Sequence, residues 1–314
     1  MTRNDIAFDS AGVTCSGWHF PGAGDRFDGP NGRSVVVMGH GFGGTKDSGL
    51  EPFADRLSRA GLDVLAFDYR GFGASEGTPR QTISVAGQIR DFESAMAAAK
   101  RLPGVDPNRI VLWGSSMSGG HVLRVAAGRD DIAAVIAMTP LTSGAAASRA
   151  AVAHRDVGSA LKWTVVGLKS RADVARGHRP TMMPMVARPG EPGALALDGA
   201  YESYTALAGP TWRNEIDSAV GLQIAGIRTA EAAKQLRCPA LFQIADFDRY
   251  VPADSVAKTA VLARGVVHHY PCDHFDVWPG HDWFEKAAAD QVAFLSRTLL
   301  STSSSPDRLK APQR

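Results

Sequence analysis

Three serines and three glycines crowd into VLWGSSMSGGHV, residues 111–122, directly behind an apolar run. A hydroxyl at a strand-to-helix corner, flanked by small residues that let the turn close, is the layout of a nucleophile elbow. Gly114 lies two residues before Ser116, and Ser118 with Gly119 follow it, so the register selects Ser116. Ser115 would still belong to the strand end and Ser118 to the first helical turn. A serine here can also do no more than cap the helix. The chemistry therefore depends on partners elsewhere in the chain.

A serine hydroxyl is a poor nucleophile until a base takes its proton. The chain has nine histidines: 19, 40, 121, 154, 178, 268, 269, 274 and 281. In an open α/β sheet the chemistry collects beyond the carboxyl ends of the strands. That favours His274 in HHYPCDHFDVWPG, just past the last strand. His268 and His269 lie within that strand, His121 lies inside the helix after the elbow, and His154 and His178 fall in a long insertion. A carboxylate must then hold the imidazole in the required tautomer. IADFDRYVPADS supplies Asp248, beyond a strand end, with Asp246 as the alternative. The loop after the preceding strand, TPLTSG, offers no acid. Cys272, two residues before His274, lacks elbow geometry and reads as a spectator.

An oxyanion site completes the set. MGHGFGGTKD leaves another strand end, and the backbone N–H of Phe42 can aim at the same point as that of Met117, the residue after Ser116. His40 in this loop reads as a buried histidine that steadies it. Asp68 and Arg70, in FDYRGFGASEG, read as structural.

These residues need a sheet to bring them together. SVVVMG (34–39), LDVLAFD (62–68), RIVLWG (109–114), IAAVIAM (132–138), ALFQIA (240–245) and VVHHY (266–270) read as strands, with helices between them at residues 48–61, 83–101, 116–128, 253–265 and 281–300. Continuous apolar strands alternating with helices indicate a mostly parallel sheet covered on both faces. The more polar start, 5–19, predicts an antiparallel edge hairpin. The alternation breaks between residues 141 and 236. That stretch reads as an inserted helical cap, in which Met182, Met183 and Met185 are candidates to line an apolar pocket. The expected organisation is a core of 1–140 and 237–300, a cap of 141–236 and a disordered tail of 301–314.

The bulk numbers narrow the function classes. Thirty-four basic and 32 acidic residues give a net charge of +2, with no basic run of the kind that holds nucleic acid. No apolar window is long enough to span a membrane, and the start MTRNDIAFDS lacks a signal peptide's apolar core. Three scattered cysteines argue against a disulfide framework or zinc site. A cytoplasmic protein needing no cofactor or metal is the expectation, with a homodimer also open.

HGFGG (40–44), FDYRGFGASEG (67–77), WGSSMSGGH (113–121), DRYVP (248–252) and DHFDVWPG (273–280) together resemble the α/β-hydrolase superfamily. Within it the chain looks most like dienelactone-hydrolase-like, S15-peptidase-like and polyketide-transferase-like proteins. The resemblance implies an eight-stranded α/β-hydrolase sheet, with Ser116 as nucleophile, His274 as base and Asp248 as acid. It also implies a carboxylesterase acting on a small-molecule acyl substrate. Acyl transfer and cleavage of a thioester, lactone, peptide or carbon–carbon bond use the same residues; a ligand-binding protein that keeps the fold without turnover is the reading from another class. One departure stands out: superfamily members usually carry glycine where this chain has Ser118.

Overall fold

A hairpin of β1 (Asn4–Ser10) and β2 (Val13–Phe20) begins the main sheet, followed by β3 (Asp28–Gly29) and β4 (Gly32–Gly39). Next come α1 (Leu50–Arg59), β5 (Asp63–Phe67), α2 (Val85–Ala99), β6 (Val105–Ser115), α3 (Met117–Ala126) and β7 (Ile132–Met138). The following stretch holds α4 (Gly144–Ala153), α5 (Val157–Ala175), β8 (Met182–Met183), α6 (Ala200–Leu207), β9 (Ile216–Asp217), α7 (Val220–Ala225) and α8 (Ala230–Lys234). The chain closes with β10 (Ala240–Ala245), α9 (Ala253–Ala263), β11 (Val266–Tyr270) and α10 (Phe284–Leu300). This computed structural model describes residues 3–153 and 157–300, so the tail expected at 301–314 and His154 lie outside the described residues.

The sheet order is β1-β2-β5-β4-β6-β7-β10-β11, with β3 paired on β4. From β5 to β11 the neighbours run parallel, while β1 and β2 are antiparallel, as the polar N-terminal segments predict. Where eight strands were expected, the sheet has nine among the described residues. The extra one is the two-residue β3, folded back on Gly32 and Arg33; a pair that short leaves no alternation to read. Side chains along β6 alternate between faces. Trp113 meets Phe53 of α1 and Gln291 of α10, whereas a Cβ on its neighbour Gly114 would meet α3. Because both faces are covered, β5, β7 and β10 are apolar nearly end to end.

Residues 141–236 are not wholly helical. β8 and β9 form a small antiparallel pair, Met182 opposite Asp217, and residues 184–199 run without a helix. Pro180, Pro184, Pro189 and Pro192 explain this, since proline removes the donor a helix needs and clashes with the preceding turn. α8 packs on α3 and α9. Among the described residues no helix is long and apolar enough to cross a membrane.

Candidate active site

Three strand ends open onto one cleft, β4 through the His40 loop, β6 through Ser116 and β11 through the His274 loop, and the loop after β10 reaches it through the bond from Asp248 to His274. Ser116 sits at φ 52°, ψ −118°, a strained conformation for a residue with a side chain. The backbone around it is pinned. Its N–H donates to the Met138 carbonyl at the end of β7 (2.9 Å), and its own carbonyl accepts from Leu141 N–H (2.7 Å). The small neighbours are sterically required: a Cβ at Gly114 would collide with the Ser118 carbonyl, and one at Gly119 with Pro140. Serine is accommodated at 118 because its hydroxyl is buried in a 2.8 Å hydrogen bond with the Tyr69 hydroxyl.

His274 is buried, and its Nδ1 hydrogen-bonds Asp248 Oδ2 at 2.5 Å. The other carboxylate oxygen, Oδ1, accepts from the backbone N–H groups of Tyr250 (2.8 Å) and Val251 (2.7 Å). Burial disfavours the charged imidazolium, but the Asp248 charge and hydrogen bond, with a further contribution from Asp273, outweigh it and hold the His274 pKa above its ordinary value. Tyr250 and Phe275 stand edge-on to the imidazole, at ring separations of 5.6 and 5.2 Å.

Ser116 and His274 both line a narrow cleft of about 40 Å³, together with Phe42, Tyr204, Phe275 and Trp278. Met117 is the first residue of α3, so its N–H has no intrahelical acceptor. Phe42 lies in the turn after β4, and that turn is held from two sides. From below, the Lys46 ammonium and the Lys46 N–H each reach the buried Asp68 carboxylate at 2.6 Å. From above, Tyr204 Oη donates to the Phe42 carbonyl (2.6 Å), and Thr211 donates to Asp47 Oδ2 from its N–H (3.0 Å) and its hydroxyl (2.8 Å). Gly43, at φ 58°, leaves room for the Met185 sulfur, which fills the space a Cβ would need. Met185 thus packs under this turn, and none of Met182, Met183 and Met185 lines the cleft.

The remaining candidates are placed elsewhere. Asp246 pairs with His269 at 2.6 Å, away from His274. His40 is buried, its Nδ1–H on the Gly41 carbonyl (3.0 Å), and burial lowers its pKa. His121 Nε2 meets Gln88 (3.0 Å), and burial drops its pKa to about 3. His268 pairs with Asp290 and His19 with Asp63; His178 is exposed. Burial, with nearby carboxylates, pushes the Cys272 thiol up to about 12, leaving little thiolate at neutral pH. Arg70 pairs with Asp91 and Ser10. Among the described residues no cluster of three or more His, Cys, Asp or Glu is placed to hold a metal.

Sequence reasoning did not find Lys46, Tyr204, Thr211, Arg249 or Asp273 as site supports. Each acts through a contact made only in the folded chain, and no local motif announces it.

The parallel sheet, the elbow and the strand-end loops define an α/β hydrolase. Residues 30–270 match the family described as Hydrolase_4, serine aminopeptidase S33, and the chain belongs to that family. It is 34% identical over 296 residues to the quorum-quenching protein AidA of Acinetobacter baumannii, covering 93% of this chain and 94% of that one. It is 31% identical over 217 residues to the polyketide transferase af380 of Aspergillus fumigatus, 68% of each chain. In fold it matches the α/β hydrolase GrgF of Penicillium sp. sh18, with a TM-score of 0.78 over 96% of this chain and 100% of that one, at 24% identity.

Proposed function

We propose that this chain is a serine hydrolase that cleaves a carboxylic ester, or a closely related acyl bond, of a small uncharged molecule. The observation that carries the reading is the buried His274–Asp248 pair facing the same cleft as Ser116 at its strained corner. In this reading His274 Nε2 takes the Ser116 proton as Oγ attacks the carbonyl, while Asp248 holds Nδ1–H and stabilises the imidazolium. The N–H groups of Phe42 and Met117 receive the oxyanion, each contributing about 3 kcal/mol to barrier lowering. His274 then protonates the leaving alcohol and activates the water that releases the acid. Residues 141–236 act as a cap whose α6 closes one side of the cleft and restricts the acyl group. Apart from the two histidines, the cleft lining carries no ionisable group more acidic than the Tyr204 phenol, which favours an uncharged acyl chain.

Acyl transfer to an alcohol or amine is the second reading, supported by the similarity to a protein named as a polyketide transferase. A fluorophosphonate should label the wild-type protein and not Ser116→Ala; equal labelling of both would remove the proposed nucleophile. A p-nitrophenyl ester and lactone panel, run with and without competing alcohols, then separates hydrolysis from transfer by the product formed.

A further inference from the structure

The Asp248–His274 bond has a second rung beside it. Arg249 and Asp273 are the chain neighbours of the acid and the base, and they too are paired. Arg249 Nε donates to Asp273 Oδ2 at 2.6 Å and Arg249 N–H to Asp273 Oδ1 at 3.1 Å. The same Oδ1 accepts the His274 N–H at 2.8 Å. Asp273 is itself held, its N–H donating to Asp276 Oδ2 at 2.9 Å. The second arm of the guanidinium, Nη2, donates to the Asp198 carbonyl at 2.9 Å, two residues before α6 begins. α6 carries Tyr204, whose hydroxyl holds the Phe42 carbonyl. One continuous line of contacts therefore runs from the His274 backbone through Asp273, Arg249, Asp198 and α6 to the turn that bears Phe42.

We propose that Arg249 and Asp273 are positioning residues, an ion-pair latch that fixes the His274–Asp248 geometry and ties it to the seating of α6 over the cleft. The proposal rests on the Ser116–His274–Asp248 reading above. Its physical signature is a separation of rate from stability. The two side chains are 43% and 21% exposed, and pairs in that setting add little to global stability. A shift of about 1 Å in a reacting group, by contrast, can cost about 100-fold in rate. Arg is suited to the position because its planar fork can serve two acceptors in fixed directions, here a carboxylate and a carbonyl, which Lys cannot do.

The charges around His274 supply a second signature. Asp248, from the loop after β10, and Asp273, from its own loop, both act on its charge; Arg249 and Asp276 meet Asp273 rather than the imidazole, the Tyr250 ring stands edge-on to it, and His40, whose pKa burial lowers, lines the same cleft. Arg249→Gln leaves the Asp273 charge uncompensated beside the imidazole, and Asp273→Asn removes that charge. The two substitutions should therefore move the acid limb of the kcat/KM profile in opposite directions, upward for Arg249→Gln and downward for Asp273→Asn.

The test measures p-nitrophenyl acetate turnover across pH, fluorophosphonate labelling rate and thermal unfolding for these two variants and for Arg249→Lys. The expected result is a loss of about 10-fold or more in kcat for both, within the range geometric misplacement produces, with opposite limb shifts and melting within about 2 °C of wild type. Arg249→Lys should restore the limb but only part of the rate. Wild-type rates and limbs in both variants would overturn the proposal, as would a rate loss that tracks lost stability while the limbs stay still. If Asp273→Asn does not fold, the Arg249 pair decides: Arg249→Lys as slow as Arg249→Gln, with an equally displaced limb, also overturns it. Failure of the parent reading shows separately, as labelling that survives Ser116→Ala.

Discussion

The hydroxyl of Tyr204 on α6 and the carbonyl of Phe42 in the β4 turn are joined by a 2.6 Å hydrogen bond across 162 residues of sequence. Phe42 is the residue whose N–H is proposed to receive the oxyanion, and this bond restrains the turn that carries it. Tyr204→Phe keeps the ring and its 5.5 Å stack on Trp212 while releasing the carbonyl. Ester turnover should fall about 10-fold, the worth of one ordinary hydrogen bond. The loss should fall in kcat rather than KM, measurable with a p-nitrophenyl ester series.

The raised His274 pKa has a definite sign for activity. As the proposed base, His274 must be neutral to accept the Ser116 proton, so kcat/KM should decline with falling pH from a point above the ordinary histidine value of about 6.5. The same shift makes His274 a stabilising contact below its unfolded-state pKa, a contribution lost as pH rises through the raised folded value. Asp248→Asn, which removes the main cause of the raised value, should move the acid limb of any residual activity to lower pH in a pH–rate profile.

Asp248 and Asp246 should separate cleanly on substitution. Asp248→Asn replaces the only hydrogen-bonding acceptor of His274 Nδ1 among the described residues, and a change of this kind costs about 10⁴-fold in kcat by favouring the wrong tautomer. Asp246→Asn loses only the pairing with His269 and should leave turnover within about 2-fold, as surface pairs carry little energy. Parallel steady-state assays of the two variants check both outcomes.

Lys46→Met tests the clamp beneath the β4 turn. The ammonium and the Asp68 carboxylate are both buried, at 3% and 0% side-chain exposure, so the carboxylate would be left without its counter-ion. Breaking a buried pair from one side costs about 3–5 kcal/mol. Urea unfolding should register a loss of that order, and Lys46→Met as stable as wild type would show that the turn draws its stability elsewhere.

What could be read ahead of the fold follows from how local each signal is. β5, β7 and β10 announce themselves because a strand buried on both faces is apolar throughout. Ser116 stands out because its corner excludes bulk at Gly114 and Gly119. His274 and Asp248 were reachable by position, since each follows a strand end. Their 2.5 Å contact pairs His274 with Asp248 while Asp246 pairs with His269, a pairing the spacing alone left open. β8 and β9 were hidden because two-residue strands 34 positions apart carry no periodicity. Arg249, Asp273, Tyr204 and Lys46 were hidden for a related reason: each is an ordinary polar side chain until folding brings a distant partner within reach.

With Ser116 as the proposed nucleophile, the backbone conformation at residue 116 trades endurance for turnover. A side chain held at φ 52°, ψ −118° carries about 1–3 kcal/mol of torsional strain, and glycine would not. Ser116→Gly should therefore outlast the wild-type protein in heat while being inert. A search for hardier versions of this chain that scores melting alone would drift towards erasing the one hydroxyl on which turnover is proposed to depend.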